Sequence, residues 1–274
     1  MSASSSAHTA APRTLATAGL PRRVRKVLEQ ALALVSIELD LHLGTMLGEL
    51  EQELYRLADT ARDTSSQSEY MQALRALRLN RADLIPRVML GIESELAAIR
   101  SPIAAATTAS PDRRMLFGDL SLVEDTAIDE ATVLGEIASR QEGRATFALH
   151  LLGQRFGVLA GTPAFDAARI PLGPRALCRA MRDASHPLQI GDDARRRLYR
   201  IFDRQVMASY ANTLETLDAT MAAAGVLPGL SFVPPRVRAI AQDEPKPASD
   251  VAGTAASASA RAATAAAAAA PGPA

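Results

Sequence analysis

Leu32, Val35, Leu39, Leu43, Met46, Leu50, Leu54, Leu57 and Ala61 follow one another at spacings of three or four without interruption. A strand turns alternate side chains to one face, so this spacing can be gathered onto one face only by an α-helix. The row predicts a single long helix from about Pro21 to Arg62, with Pro21 suited to its first turn, where a missing N–H costs nothing. The polar stretch RDTSSQSE interrupts it, and Ser66 with Glu69 has the spacing of a capping box opening a second helix. Met71, Leu74, Leu77, Ile85, Val88, Ile92, Leu96 and Ile99 carry that helix onward. Pro86 is expected to kink it or split it near Asp83. So short a connection implies an antiparallel helical hairpin over residues 20–100. Composition agrees: hydrophobic residues make up 48% of the chain but aromatics only 4%, with no Trp. Aliphatic side chains must therefore supply the buried area, which suits packed helices better than a sheet.

Beyond the hairpin, SPIAAATTASPDRR reads as a linker over residues 101–116. A smaller helical cluster is expected over 117–231. Its helices run from about Glu124 to Arg140, Arg144 to Leu159, Pro174 to Ala184 and Asp192 to Ala224. GTPAFDAARIPLGP and SHPLQIGD are the loops between them. The last helix has the row Leu198, Ile201, Phe202, Val206, Tyr210, Thr213, Leu217 and Met221, with Gly225 placed to end it. Residues 1–19 and the Ala/Pro-rich stretch 232–274 offer little large apolar surface to offset the entropy of ordering them, and read as disordered tails. The fold class is all-α.

The formal charge of zero argues against nucleic acid as a general partner, since phosphate-backbone affinity needs a cationic excess. Cys178 is the sole cysteine, which excludes an intrachain disulfide and a cysteine-based zinc site. The first residues lack a basic start followed by an apolar core, so no secretory signal is expected. The most apolar stretch, ALALVSIELDLHL, is broken by Glu38, Asp40 and His42, so no membrane span is expected and the chain reads as cytoplasmic.

Motifs for phosphate loops and nucleophile elbows are absent from the sequence. Glu38 and His42 share a helix face at i,i+4, while His150 and His186 are isolated; each reads as a surface pair or a partly buried histidine rather than a metal ligand. Cys178 lies between Arg175 and Arg179, which favour a thiolate, yet it belongs to the apolar row Leu177, Cys178, Met181, where a buried thiol is the ordinary outcome. FGDLSLVEDTAIDE packs five acids around Ser121 and Gly118. It reads as the start of a helix, with Glu124 or Asp125 as cap and the other acids favoured by the helix dipole. The strongest charge feature is DDARRRLYRIFDR, where Arg196, Arg200 and Arg204 repeat every fourth residue. This ridge reads first as a solvated, partly ion-paired face, with Asp193 pairing Arg197, and secondly as a surface that docks an acidic partner. No catalytic residue, metal or cofactor is expected.

DLSLVEDTAIDEATVL, PLGPRALCRAM and RRRLYRIFDRQVMASYANTLETLDATMAAAGVLPGL, with ELYRLADTARDTSSQSEYMQALRALRLNR upstream, resemble a bacterial family called domain of unknown function 1631. The resemblance covers roughly Val24 to Leu230. The family has no established activity; some members are labelled thymidine phosphorylase, for which these residues provide no basis. Longer members are associated with a C-terminal segment similar to a PilZ module, which binds cyclic dinucleotides, so this chain resembles a short member. Asp119 and Ser121 match the start of the PilZ Asp/Asn-x-Ser-x-x-Gly element, but Glu124 stands where its glycine belongs. The expectation is a non-enzymatic interaction or scaffold protein that binds a protein partner or a second copy through its helices. The alternative, implied by the longer members, is a regulatory module connected with cyclic-dinucleotide signalling.

Overall fold

The computed structural model of the chain describes residues 13–101 and 125–230, the side chains of 125–128 excepted. α1 runs from Arg22 to Thr60. Its carbonyl ladder opens at Pro21, whose C=O accepts from the Arg25 N–H at 3.0 Å, so the proline precedes the first turn instead of occupying it. The apolar row is buried as its spacing predicts: Val35, Leu39, Leu43, Met46, Leu50 and Leu54 are shut off from solvent, with Leu32 and Leu57 at the margin.

α2, Thr64–Ala97, returns antiparallel to α1 and packs along it. Its cap differs from the expected one. Asp63, in an extended conformation, accepts from the Ser66 N–H at 3.3 Å, so Ser66 is a donor in the first turn rather than the cap. The acid adjoining the turn outcompetes the serine because its carboxylate reaches the free N–H groups of the first turn. Nor does Pro86 split the helix, which continues through it. Pro86 and Ala82 both face water, so the carbonyl deprived of its donor stays hydrated. Leu84 and Val88, fully buried on either side, hold the segment against the interior.

Residues 13–20, expected within or next to a disordered tail, are docked from Arg13 onward. Leu15 and Leu20 are buried, and the Leu15 N–H donates to Glu93 Oε1 at 2.9 Å. The rest of that expected tail, the linker apart from Ser101, and the tail 232–274 lie outside the described residues.

The second region comprises α3 (Asp125–Arg144), α4 (Thr146–Ala160), α5 (Pro174–Ser185), α6 (Asp192–Phe202) and α7 (Ala208–Ala223). The expected single helix from 192 to 224 is interrupted by a π-helical turn, Asp203–Met207, with the backbone helical at both junctions. All eight residues of its predicted row are buried. Gly225 ends it at φ 80°, with the Val226 N–H reaching Met221 O and the Gly225 N–H reaching Ala222 O, both at 3.0 Å. Only glycine adopts that left-handed closure without strain. α5 is wedged between α2 and α3; α6, the π turn and α7 pack on α1; α4 packs on α7. No strand occurs among the described residues.

The glycines of α4 and α1 serve different ends. The loop after α4 folds back onto it, and the Phe165 N–H donates to Gly153 O at 3.0 Å. A Cβ on Gly153 would strike the Phe165 carbonyl, whereas one on Gly44 would meet open space. Gly153→Ala is therefore expected to destabilise by about 2 kcal/mol as the backbone is forced apart. Gly44→Ala is expected to stabilise the monomer by roughly 0.5–1 kcal/mol through reduced backbone entropy. Urea denaturation of the two variants checks the opposite signs.

Candidate functional site

α6 forms beneath its charges for simple reasons. Asp192 and Asp193 occupy the first turn, where the dipole favours acids, and Ala194, Leu198, Ile201 and Phe202 face the core. The arginines between them are thereby sorted. Arg204, just past α6 in the π turn, pairs with Glu49 of α1, and Gln205 donates to the other oxygen of that carboxylate at 2.7 Å. Arg196 and Arg200 stay exposed with no hydrogen bond or ion pair among the described residues, although Asp193 lies within the field of Arg196. The predicted ridge is thus divided: two arginines face water and the third ties the π turn to α1.

Arg197, one position round, joins the helices. It donates to Asp193 Oδ2 and to Glu53 Oε1, each at 2.9 Å, with its guanidinium carbon 6.0 Å from the centre of the Tyr70 ring. The Tyr70 hydroxyl donates to Asp193 Oδ2 at 3.1 Å. Partial burial alone would raise the Asp193 carboxyl, but the hydrogen bond and charge of Arg197 hold it below the usual range. The expected Asp193–Arg197 pair is present and links α1, α2 and α6. Asp203, at the head of the π turn, pairs with Arg140 of α3 at 2.5 Å.

Two buried charged groups stand outside the sequence expectations. Glu130, expected with the acidic start of α3, is only 7% exposed. It accepts from Arg195 Nη1 at 2.7 Å and from the Tyr199 hydroxyl at 3.4 Å, while Ser185 Oγ lies 3.0 Å from that hydroxyl. Burial pushes the Tyr199 phenol up to about 12, so at neutral pH it keeps its proton and the network, with Glu130 as acceptor, joins α3, α5 and α6. A signal was available: Glu130 continues the row Leu134, Ile137 and Gln141. Arg155, 2% exposed, is the other. Its Nε donates to Asp218 Oδ1 at 2.7 Å, and its Nη1 to the carbonyls of Val226 and Leu227. A lone charge amid FALHLLGQRFGVLA was the hint, but the partner lies on α7 and is invisible to spacing. Asp119, Ser121 and Glu124 fall outside the described residues.

The remaining candidates separate from one another. Cys178 is buried in a groove between α3 and α5, lined by Leu134, Gly135 and Ala138 with Arg175 and Arg179. Arg175 is engaged by Glu142 at 2.8 Å and Arg179 by Glu95 at 2.9 Å. Burial, helped by Asp203 and Glu142, pushes the thiol up to about 12 despite Arg179. His150 lines a different depression, beside Phe165 and Asp166, and neither it nor His186 lines the Cys178 groove. His42 Nε2 lies 3.9 Å from Glu38 Oε2 and 3.4 Å from Ser209 Oγ, a partly buried histidine at the α1–α7 contact. Among the described residues no three His, Cys, Asp or Glu side chains gather in a way that could hold a metal. α1 alone among the described helices has an 18-residue window as apolar as a bilayer span, with mean hydropathy 1.4, and a third of that window is buried in the fold.

Cys178 is expected to resist alkylation in the native protein at neutral pH and to react once urea unfolds it. From pH 9 towards 12 the unfolded chain releases a proton that the folded chain keeps, so stability falls as pH rises. The slope approaches about 1.4 kcal/mol per pH unit for this one group. Urea melts on either side of pH 9 check it, and Cys178→Ala is expected to remove that contribution.

The family model described as Protein of unknown function (DUF1631) N-terminal domain matches residues 23–225, from the second residue of α1 to beyond the end of α7. No curated protein and no solved structure matches the chain.

Proposed function

This chain belongs to the DUF1631 family, and on that footing we propose that it is a non-enzymatic cytoplasmic interaction protein whose α6 face docks an acidic protein partner. The observation that carries this reading is the division of the arginines. Arg195, Arg197 and Arg204 are engaged by Glu130, Glu53 and Glu49, which pins α6 and the π turn to α1 and α3. Arg196 and Arg200 are left outward, one turn apart on a helix held on two sides. A helix already held in place needs no further backbone ordering on binding, and guanidinium groups present forked donors to carboxylates. A cytoplasmic setting fits α1, whose apolar row is turned inward while Asp40 and Glu38 face water within the same stretch.

A second reading, a regulatory module in cyclic-dinucleotide signalling, draws support from the same two guanidinium groups, which suit phosphate as well as carboxylate. The two readings separate by ligand. Capture of a protein partner from cell lysate that elutes with salt is expected. It should weaken roughly tenfold or more in the Arg196→Glu/Arg200→Glu variant, given about 1.5–3 kcal/mol per charge-assisted contact. Circular dichroism should be unchanged, because neither side chain supports the core. A chain that retrieves no partner, or whose capture ignores the two arginines, would overturn the proposal. Calorimetric heat with a cyclic dinucleotide would transfer the same surface to the second reading.

A further inference from the structure

The outer face of α1, opposite its buried row, carries an unusual pair of features. Ile37 is 74% and Leu41 68% exposed, more than a long aliphatic side chain needs to be on a helix with a core to serve. On the same face, one and two turns further on, stand Gly44 and Gly48, where an added Cβ would meet nothing within 4 Å. Residues 37, 41, 44 and 48 are spaced by four, three and four, so they form one stripe of two knobs followed by two hollows.

Resting on the interaction reading above, we propose that this stripe is a self-association surface, on which a second copy of the chain packs its own α1 antiparallel. The register is set by the residues. An isologous pair has a two-fold axis, so residues equally far from that axis along the helix meet across it. With the axis level with the peptide between His42 and Leu43, Ile37 of each copy falls on Gly48 of the other, and Leu41 falls on Gly44. Both knobs enter both hollows, twice over, and the glycines let the two backbones approach closely, as small residues do at helix crossings. The same register brings Lys26 level with Asp59. Both lie on the same stripe, both are exposed, and neither has a hydrogen bond or ion pair among the described residues. Opposite charges therefore meet at both ends of the contact. A parallel pairing would set Lys26 against Lys26 and Ile37 against Ile37, leaving the glycine hollows facing each other. One helix face is smaller than a standard interface of about 1,600 Å², so the dimer belongs to the weak, concentration-dependent class.

Sedimentation velocity of the full chain over roughly a hundredfold range of concentration tests this by mass action. The expected result is a reversible monomer–dimer equilibrium. Gly44→Leu fills the hollow without touching the protein's own interior, and should leave a monomer with unchanged circular dichroism. Lys26→Glu and Asp59→Lys should each weaken the dimer, and the double variant should restore it, which a merely structural role would not produce. Oxidation of a mixture of Ile37→Cys and Gly48→Cys proteins should yield a disulfide between the two variants and little within either alone; Cys178 is buried and does not compete. A monomer at every concentration, a dimer indifferent to Gly44→Leu, or a disulfide between two Ile37→Cys copies would overturn the proposal. None of those results bears on capture through Arg196 and Arg200, so the two proposals fail separately.

Discussion

The buried row of α1 is the element to which the rest of the molecule is fitted. α2 lies against one flank of it; α6, the π turn and α7 lie against the other. Each leucine in the row contributes about 1.5–3 kcal/mol on leaving water, which holds the helices together without choosing how they sit. The acids at its rim make that choice. Successive residues two apart project some 200° apart around a helix. Glu51 accordingly reaches Arg78 and Arg81 of α2, while Glu49 and Glu53 reach the opposite way, to Arg204 and Arg197. Exposed ion pairs of this kind add little energy singly. Arranged alternately along one helix, they set both neighbours in register.

Deeper in the fold the polar groups act differently. Arg155 is held by Asp218 and by the carbonyls of the chain leaving α7, so α4 and the end of α7 are joined at a fixed point. Glu130, Arg195 and Tyr199 do the same for α3 and α6. A buried charge without its partner is costly, so such pairs reject arrangements in which the partners fail to meet. An interior made of alanine and aliphatic residues has few distinctive shapes with which to reject them, and the low aromatic content leaves this task largely to buried charges.

The π turn belongs to the same scheme. Asp203–Met207 widens the helix, and the Gln141 amide, oriented so that its oxygen faces Arg144 Nη1, donates to Met207 O at 3.1 Å. The extra residue resets the phase of the side chains that follow, and Tyr210 and Leu217 of α7 are buried like Val206 of the turn itself. Spacing alone could not reveal the turn, because three- and four-residue steps absorb one extra residue without a visible break. Arg204 lies within this turn and Arg196 within regular helix. This separates the members of a ridge that looks uniform in the sequence.

What the sequence determined by itself was everything carried by local periodicity and backbone chemistry. That includes the all-α class, the long hairpin, the predicted row of α6–α7 and the glycine closure at residue 225, because the spacing of apolar side chains and the φ a residue tolerates are local properties. The burial of Cys178 was legible for the same reason. What only the tertiary structure decided was which charges are spent and which remain. Glu49 and Arg204 are 155 residues apart, and Arg155 and Asp218 are 63 apart, so no spacing rule connects them. Three arginines four residues apart were one ridge until α1 supplied a carboxylate to the last of them. Likewise, Ile37 and Leu41 were ordinary members of an apolar stretch until the packing of α2 and α7 on the other side of α1 left them facing water.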